Sequence, residues 1–442
     1  MTMPSYKKIW DISLPLIAGM LAEHFVGVID TAFLGHVGEL ELAASAIAGT
    51  FYIILFVVGM GFGTGTQILI GRRNGEKNYD KIGGIFENSL YFILFFAAVV
   101  VVLSFLFSRK ILGFMLSSED ILDASMRFLN IRVFTLFFSL GCVIMRSFFV
   151  GIQLTKYIGI GAFIIAVTNF ILDYLLIFGK LGFPQMGLEG AALASVLAEV
   201  VGLVYYVWII VKKIDLSKYN LFAFRKPQLQ IVSQTMRLSI FTMLQNLISL
   251  SSWFLFFVII EKTGEKNLAA SNIIRSYYIL AICPLWAYGA SASTLISNAI
   301  GAKQRRYVYK IIRRVTVFCL ITSTVAFIPV LVSAKGIMSL YTNDIELINI
   351  GFKALYVVGM AAILHSVSWI IFSAISATGN TMVALFIEAF TLMCYLFSVH
   401  FFAYGYPNRI EIIWCSESVY HVLLGLLSVL YLRTNHWVKK EI

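Results

Sequence analysis

Long apolar runs recur along the whole chain, each long enough to cross a bilayer core, which takes about 20 helical residues. Twelve lie in the 442 residues: near 10–34, 42–71, 86–108, 126–151, 157–179, 188–212, 233–261, 268–299, 312–333, 350–378, 381–404 and 410–433. Runs of this kind leave few folds open. In lipid every backbone N–H and C=O must find a partner within the protein, so a spanning segment is a helix or a strand of a closed barrel. No run shows the alternation over about ten residues that a barrel strand requires. The expected fold class is an all-α membrane protein with twelve transmembrane helices. Composition agrees, with 60% hydrophobic and 13% charged residues against about a quarter charged in soluble domains.

The formal charge of +11 raises the question of an anionic partner. Sorting the 34 lysines and arginines by loop answers it. With both termini on the cytoplasmic side, 21 fall inside and seven outside, namely Arg109, Lys110, Lys180, Lys262, Lys266, Lys335 and Arg409. Such an excess sets orientation during insertion, so the basic balance needs no nucleic acid. Lys7 and Lys8 lead directly into a run of about 25 residues, longer than the apolar core of a cleavable leader. The five cysteines form no CxxC pair and read as small core residues.

A shift of 226 residues superposes Gly63 on Gly289, Gly75 on Gly301, Lys77 on Lys303, and the pair Phe178 and Gly179 on Tyr404 and Gly405. One offset holding at separated places indicates duplication. The basic stretch 212–232 is the natural linker, and the expected lobes are 1–222 and 223–442. Six spans per lobe make the repeat parallel, about an axis along the membrane normal.

Ionisable groups inside a bilayer are costly and mark functional sites. Asp30 ends the first run, with Glu23 two turns earlier on nearly the same face. In the fifth run Asn169 and Asp173 stand at i and i+4, one above the other. An amide oxygen and a carboxylate so stacked suit a small hard cation or a shared proton. If Asp30 and Asp173 meet, two carboxylates in a dry interior do not easily both ionise. The trio Asp30, Asn169 and Asp173 is therefore the candidate cation site, for a proton or Na+. Ser195 in the sixth run is a further candidate. The repeat supplies a control: the shift places Phe256, Tyr395 and Val399 opposite Asp30, Asn169 and Asp173, so the cluster is not duplicated.

Other polar groups invite plainer roles. Gln245, Asn246, Asn272, Glu388, His400, Glu417 and His421 form no obvious i, i+4 set and read as contacts between helices. Glu23, Arg275, His365 and Tyr277 are candidates to line a substrate cavity. Arg132 and Arg146, at opposite ends of the fourth run, are expected to snorkel or to pair with acids of the fifth and sixth. Pro15 interrupts the first helix four turns before Asp30 and lets it bend.

Three stretches carry a family look: DTAFLGHVG at 30–38, GRRNGEKN at 71–78, and NFILDYLLIFGKLGFPQMGLEGAALAS at 169–195. Over essentially its whole length the chain resembles the multidrug and toxic compound extrusion (MATE) family, in particular the prokaryotic branch of the DNA-damage-inducible (DinF-like) proteins. The resemblance implies two lobes around a central cavity and export of amphipathic, cationic small molecules by alternating access, in exchange for H+ or Na+. Asp30, Asn169 and Asp173 would match the cation site and Pro15 a proline that bends the first helix. It also implies the inner membrane of a prokaryote, a monomer in the lipid bilayer, no organic cofactor and no enzymatic activity. The competing transport reading is a flippase for a lipid-linked saccharide, marked by a strongly cationic cavity facing the membrane. A membrane-bound transferase would want DxD or HxxxH in a loop, and neither is present; a receptor would show no ion-dependent uptake.

Overall fold

A computed structural model describes residues 3–439, which form helices and turns with no strand among the described residues. The helices are α1 (Tyr6–Gly35), α2 (Glu39–Gly75), α3 (Asp80–Met115), α4 (Glu119–Arg132), α5 (Thr135–Gly151), α6 (Lys156–Phe178) and α7 (Gly187–Lys213). They continue with the single turn α8 (Leu216–Tyr219), α9 (Leu229–Glu261), α10 (Glu265–Gly301), α11 (Val308–Ser339), α12 (Ile345–Ala377), α13 (Thr381–Gly405) and α14 (Ile410–Arg433). Eleven helices are each long and apolar enough to span a membrane. A twelfth span is made by α4 and α5 together, bent by 46° at their junction.

That bend departs from the single run expected over 126–151. Across the junction the bonding tightens to i→i−3: Phe134 N–H donates to Ile131, Leu136 to Val133 and Phe137 to Phe134. Such a turn of 3-10 geometry re-aims the axis and leaves Arg132 at the end of α4. In α11 a second break follows Pro329, with Ser333 in an extended conformation (φ −159°, ψ 81°). The Ser333 hydroxyl accepts from Gly336 N–H at 3.0 Å and restarts the helix.

The duplication is visible in the backbone. The ends of α2 and α10 lie 226 residues apart at both termini. Each helix closes through a non-glycine residue in the left-handed region, Lys77 at φ 62° and Lys303 at φ 56°. The following amides bond back alike, Asn78 to Arg73 at 3.0 Å and Gln304 to Ala299 at 2.8 Å. Gln153 (φ 65°) and Gly379 (φ 94°) are a further pair at the same spacing.

Two compact units result, one of Leu14–Met243, the other running from Leu244 onward and including the first turns of α1 up to Ser13. The divisions thus fall inside α1, one residue before Pro15, and inside α9. Within the second unit Ser13 Oγ donates to Ser291 Oγ at 2.9 Å, and Tyr6 and Trp10 pack on Phe318. All five cysteines are free thiols, three of them buried.

The stretch after α8 is fixed by α3 rather than loose. Glu87, buried near the start of α3, accepts from Ala223 N–H at 2.7 Å and Arg225 N–H at 3.3 Å; its neighbour Asn88 accepts from Gln228 N–H at 2.6 Å. Gly83 lets the Asn220 carbonyl approach where any Cβ would collide. Replacing Glu87 with Ala removes two hydrogen bonds to a buried carboxylate, at about 1.5–3 kcal/mol each. The expected outcome for Glu87→Ala is a lower melting temperature and faster tryptic cleavage after Arg225, both readable on detergent-purified protein.

Candidate cation site

Small residues let three helices of the Leu14–Met243 unit approach closely, as interfaces in lipid require. A Cβ at Gly159 of α6 would stand 2.8 Å from the Pro15 carbonyl of α1, and one at Gly190 of α7 would stand 2.8 Å from the Leu176 backbone of α6. Gly19 faces Ala162, and Gly202 of α7 faces Ile165. Toward the other end of α1, Phe33 sits between Phe170 and Phe178 of α6, with ring centres 5.7 and 5.5 Å away. The return from α6 to α7 needs the left-handed cap at Gly179 (φ 65°), where the Gln185 backbone approaches within 2.9 Å of any added Cβ.

These contacts bring Asp30, Asn169, Asp173 and Ser195 together. Asp173 is fully buried, Asn169 and Ser195 nearly so, and Asp30 is half-buried. The Asn169 amide satisfies its surroundings when its nitrogen faces the carboxylates. It then donates to Asp30 Oδ1 at 3.0 Å and Asp173 Oδ2 at 3.3 Å. The other end of the amide lies 3.5 Å from Ser195 Oγ, so the serine hydroxyl can donate to the amide oxygen. The two carboxyl groups are within hydrogen-bonding reach of each other. Asp173 Oδ1 has no hydrogen-bond partner among the described residues.

Arg132, at the α4–α5 bend, lies close enough for its charge to bear on both carboxylates. Its guanidinium stands 4.9 Å from the ring centre of Tyr52, whose hydroxyl pairs with Ser139 at 3.1 Å. Arg132 Nη1 is buried without a partner. The site therefore contains two acids, a bridging amide and a guanidinium that neutralises neither acid by direct contact. It offers oxygen ligands, one of them open, to a proton or a hard monovalent cation. Among the described residues no group of three or more His, Cys, Asp or Glu is placed to share a metal ion.

The remaining sequence candidates disperse. Glu23 forms an ion pair with Arg146 of α5, so that arginine meets an acid of the first span rather than of the fifth or sixth. Glu199 lies close enough to Arg146 for their charges to interact, yet its Oε2 is buried without a partner. α1 continues as helix through Pro15. In the second unit Tyr277 donates to the Ala326 carbonyl and Arg275 lies 4.9 Å from the Phe257 ring centre. His365 is buried against His421, 4.4 Å between ring centres. The sequence expects Arg132 to snorkel or to pair with acids of the fifth and sixth spans; it comes near Asp173 of the fifth and Asp30 of the first without a direct bond, a placement set by the α4–α5 bend, for which the apolar run carries no signal.

The MatE family model matches the chain twice, at residues 15–175 and 242–400. The chain belongs to the MatE family. A probable multidrug resistance protein NorM of Thermotoga maritima is 22% identical over 99% of this chain and 94% of its own length. The multidrug export protein MepA of Staphylococcus aureus is 23% identical over 85% of this chain and 82% of its own. Among solved structures, the MATE transporter VcmN of Vibrio cholerae, in a mutant form, superposes with a TM-score of 0.91 at 19% identity, covering 98% of both chains. At that identity the likeness speaks for the fold. The protein is thus a multi-pass membrane protein of a family of transporters.

The geometry ranks the site residues. Hydrogen bonds to charged groups are worth about 1.5–3 kcal/mol and neutral ones about 0.5–1.5 kcal/mol. Asn169→Leu, which removes both donors to the ionised acids, should tighten proton binding at the pair about 10-fold or more, and Ser195→Ala should change it less than about 10-fold. Proton titration of the purified variants, followed by the infrared carboxyl band, gives both values.

Proposed function

We propose that the protein is a secondary active antiporter exporting amphipathic, cationic small molecules in exchange for H+ or Na+, with the ion carried at Asp30, Asn169 and Asp173. The observation that carries this reading is the Asn169 amide spanning two acids while Asp173 Oδ1 stays open. A scaffold contact would close on itself; this cluster keeps a net demand for positive charge at membrane depth, where such demand is expensive. The multidrug export named for the MepA relative and the multidrug resistance named for the NorM relative point the same way.

In the cycle, the coupling ion loads at the acids from outside and disfavours bound substrate. The substrate leaves outside, the two lobes change access, and the ion leaves inside. One charge moving down 100 mV supplies about 2.3 kcal/mol, and one pH unit adds about 1.4 kcal/mol. Together they sustain a gradient of several hundredfold for a neutral solute per proton. For a monocation the electrical contribution largely cancels. Both termini are cytoplasmic in this reading, and the protein works as a monomer in a prokaryotic inner membrane.

Asp30→Asn keeps the side chain's size and removes its charge. Reconstituted in proteoliposomes, the wild type should export a cationic dye such as ethidium under an imposed sodium or proton gradient, whichever ion couples. Asp30→Asn should insert normally and lose export by two orders of magnitude or so, matching about 3 kcal/mol of charge-assisted bonding. Undiminished export by the variant overturns the site, and export indifferent to both gradients overturns antiport.

A further inference from the structure

The unit that lacks the acidic trio contains its own buried polar network. Glu417 of α14 accepts from Tyr395 Oη of α13 at 2.8 Å through Oε1, and from Tyr278 Oη of α10 at 3.1 Å through Oε2. Glu388 of α13 accepts at Oε1 from Tyr420 Oη of α14 at 2.7 Å and from Ser249 Oγ of α9 at 2.8 Å. Tyr278 Oη also lies 3.0 Å from His421 Nε2, and the His421 ring packs at 4.4 Å, tilted by 53°, on His365 of α12. Glu388, Glu417, His365 and His421 are each at most 5% exposed. His421 is the only ionisable base in salt-bridge range of either acid among the described residues, its Nε2 3.8 Å from Glu417 Oε2. Arg275, one turn before Tyr278, is turned onto Phe257.

The network is both placed and incomplete. Under the 226-residue shift Tyr395 stands where Asn169 does, His421 where Ser195 does and Tyr278 where Tyr52 does. The second unit therefore builds a polar cluster at the corresponding place of its own frame, with the carboxyls supplied from α13 and α14. Glu388 Oε2 and both ring nitrogens of His365 are buried without any partner. Three unpartnered polar atoms concentrated in one buried network leave it room to take up a proton.

We infer that Glu388, Glu417 and His421 form a second proton-binding site, distinct from the Asp30 cluster. Tyr278 has one hydroxyl proton for two neighbours. With Glu417 ionised, Tyr278 donates its one proton to Oε2 and His421 is neutral. When Glu417 binds a proton, Oε2 donates to Tyr278, and the Tyr278 hydroxyl turns to donate to Nε2 of His421. One proton is taken up, one O–H bond forms at Oε2, and the hydroxyl keeps its own proton throughout.

Proton binding is read without substrate, so the test is independent of the antiport reading. Full-length protein carrying Asp30→Asn and Asp173→Asn is stepped from mildly alkaline to mildly acidic pH in weak buffer, and proton uptake per molecule is measured with a pH dye. Adding Glu388→Gln and Glu417→Gln should reduce uptake and remove a protonated-carboxyl band from the infrared difference spectrum. Equal uptake with an unchanged band overturns the site. Should the quadruple variant misfold, Tyr278→Phe on the same background keeps both acids and breaks the bridge. It should displace the midpoint pH of uptake; an unmoved midpoint overturns the proposal.

Discussion

Two carboxylates sharing one amide at membrane depth set the terms for the Leu14–Met243 unit. Asparagine donates to both acids but brings no charge, so the bonding organises the pair without neutralising it. A lysine in its place would complete the electrostatics and close the site. Arg132 stands near enough to moderate the repulsion, yet its buried Nη1 makes no bond. Buried ionic groups left incomplete cost stability, and the surrounding packing bears that cost. The glycine faces of α6 and α7, the Phe33 wedge and the left-handed cap at Gly179 hold the acids in register.

The duplicated frame shows that none of this is required by the fold. At the positions of Asp30, Asn169 and Asp173 the second unit places Phe256, Tyr395 and Val399, all buried in one core cluster. Phe256 stacks on Tyr395 at 6.0 Å and meets Trp414 edge-on at 4.8 Å. The same helix geometry therefore tolerates an aromatic core or an acid pair. Where the frame is indifferent, what distinguishes the units is which positions supply the acids: Asp30 and Asp173 in one, Glu388 and Glu417 in the other.

How much of this could be read in the sequence follows from the range of the forces involved. Hydrophobic length exposes each span, and the i, i+4 rule exposes Asn169 with Asp173, since both depend on one helix alone. That Asp30 joins them was accessible because intramembrane acids are rare. The pairing of Glu23 with Arg146, the grip of Glu87 on Ala223 and Arg225, and the Glu388–Glu417–His421 network each need the rotation of several helices about their axes. An all-round apolar helix carries little periodic signal for that rotation. The α4–α5 bend was hidden for a related reason: neither proline nor glycine marks it, and only a change of hydrogen-bond register produces it.

Helix α1 concentrates the consequences. Its first turns belong to one compact unit and its remainder to the other, with Pro15 at the changeover. Proline removes one backbone hydrogen bond there, so the helix is weakest to bending where the chain passes between units. From Pro15 to Asp30 the helix rises about 1.5 Å per residue, roughly 22 Å of stiff rod. Two side chains tie that rod down, Glu23 to Arg146 and Asp30 to Asn169. Both ties are electrostatic, and both loosen when the acid is neutralised. In the antiport proposed above, an ion loading at Asp30 acts at the end of this helix away from Pro15, and needs to supply only the energy of a charge-assisted bond.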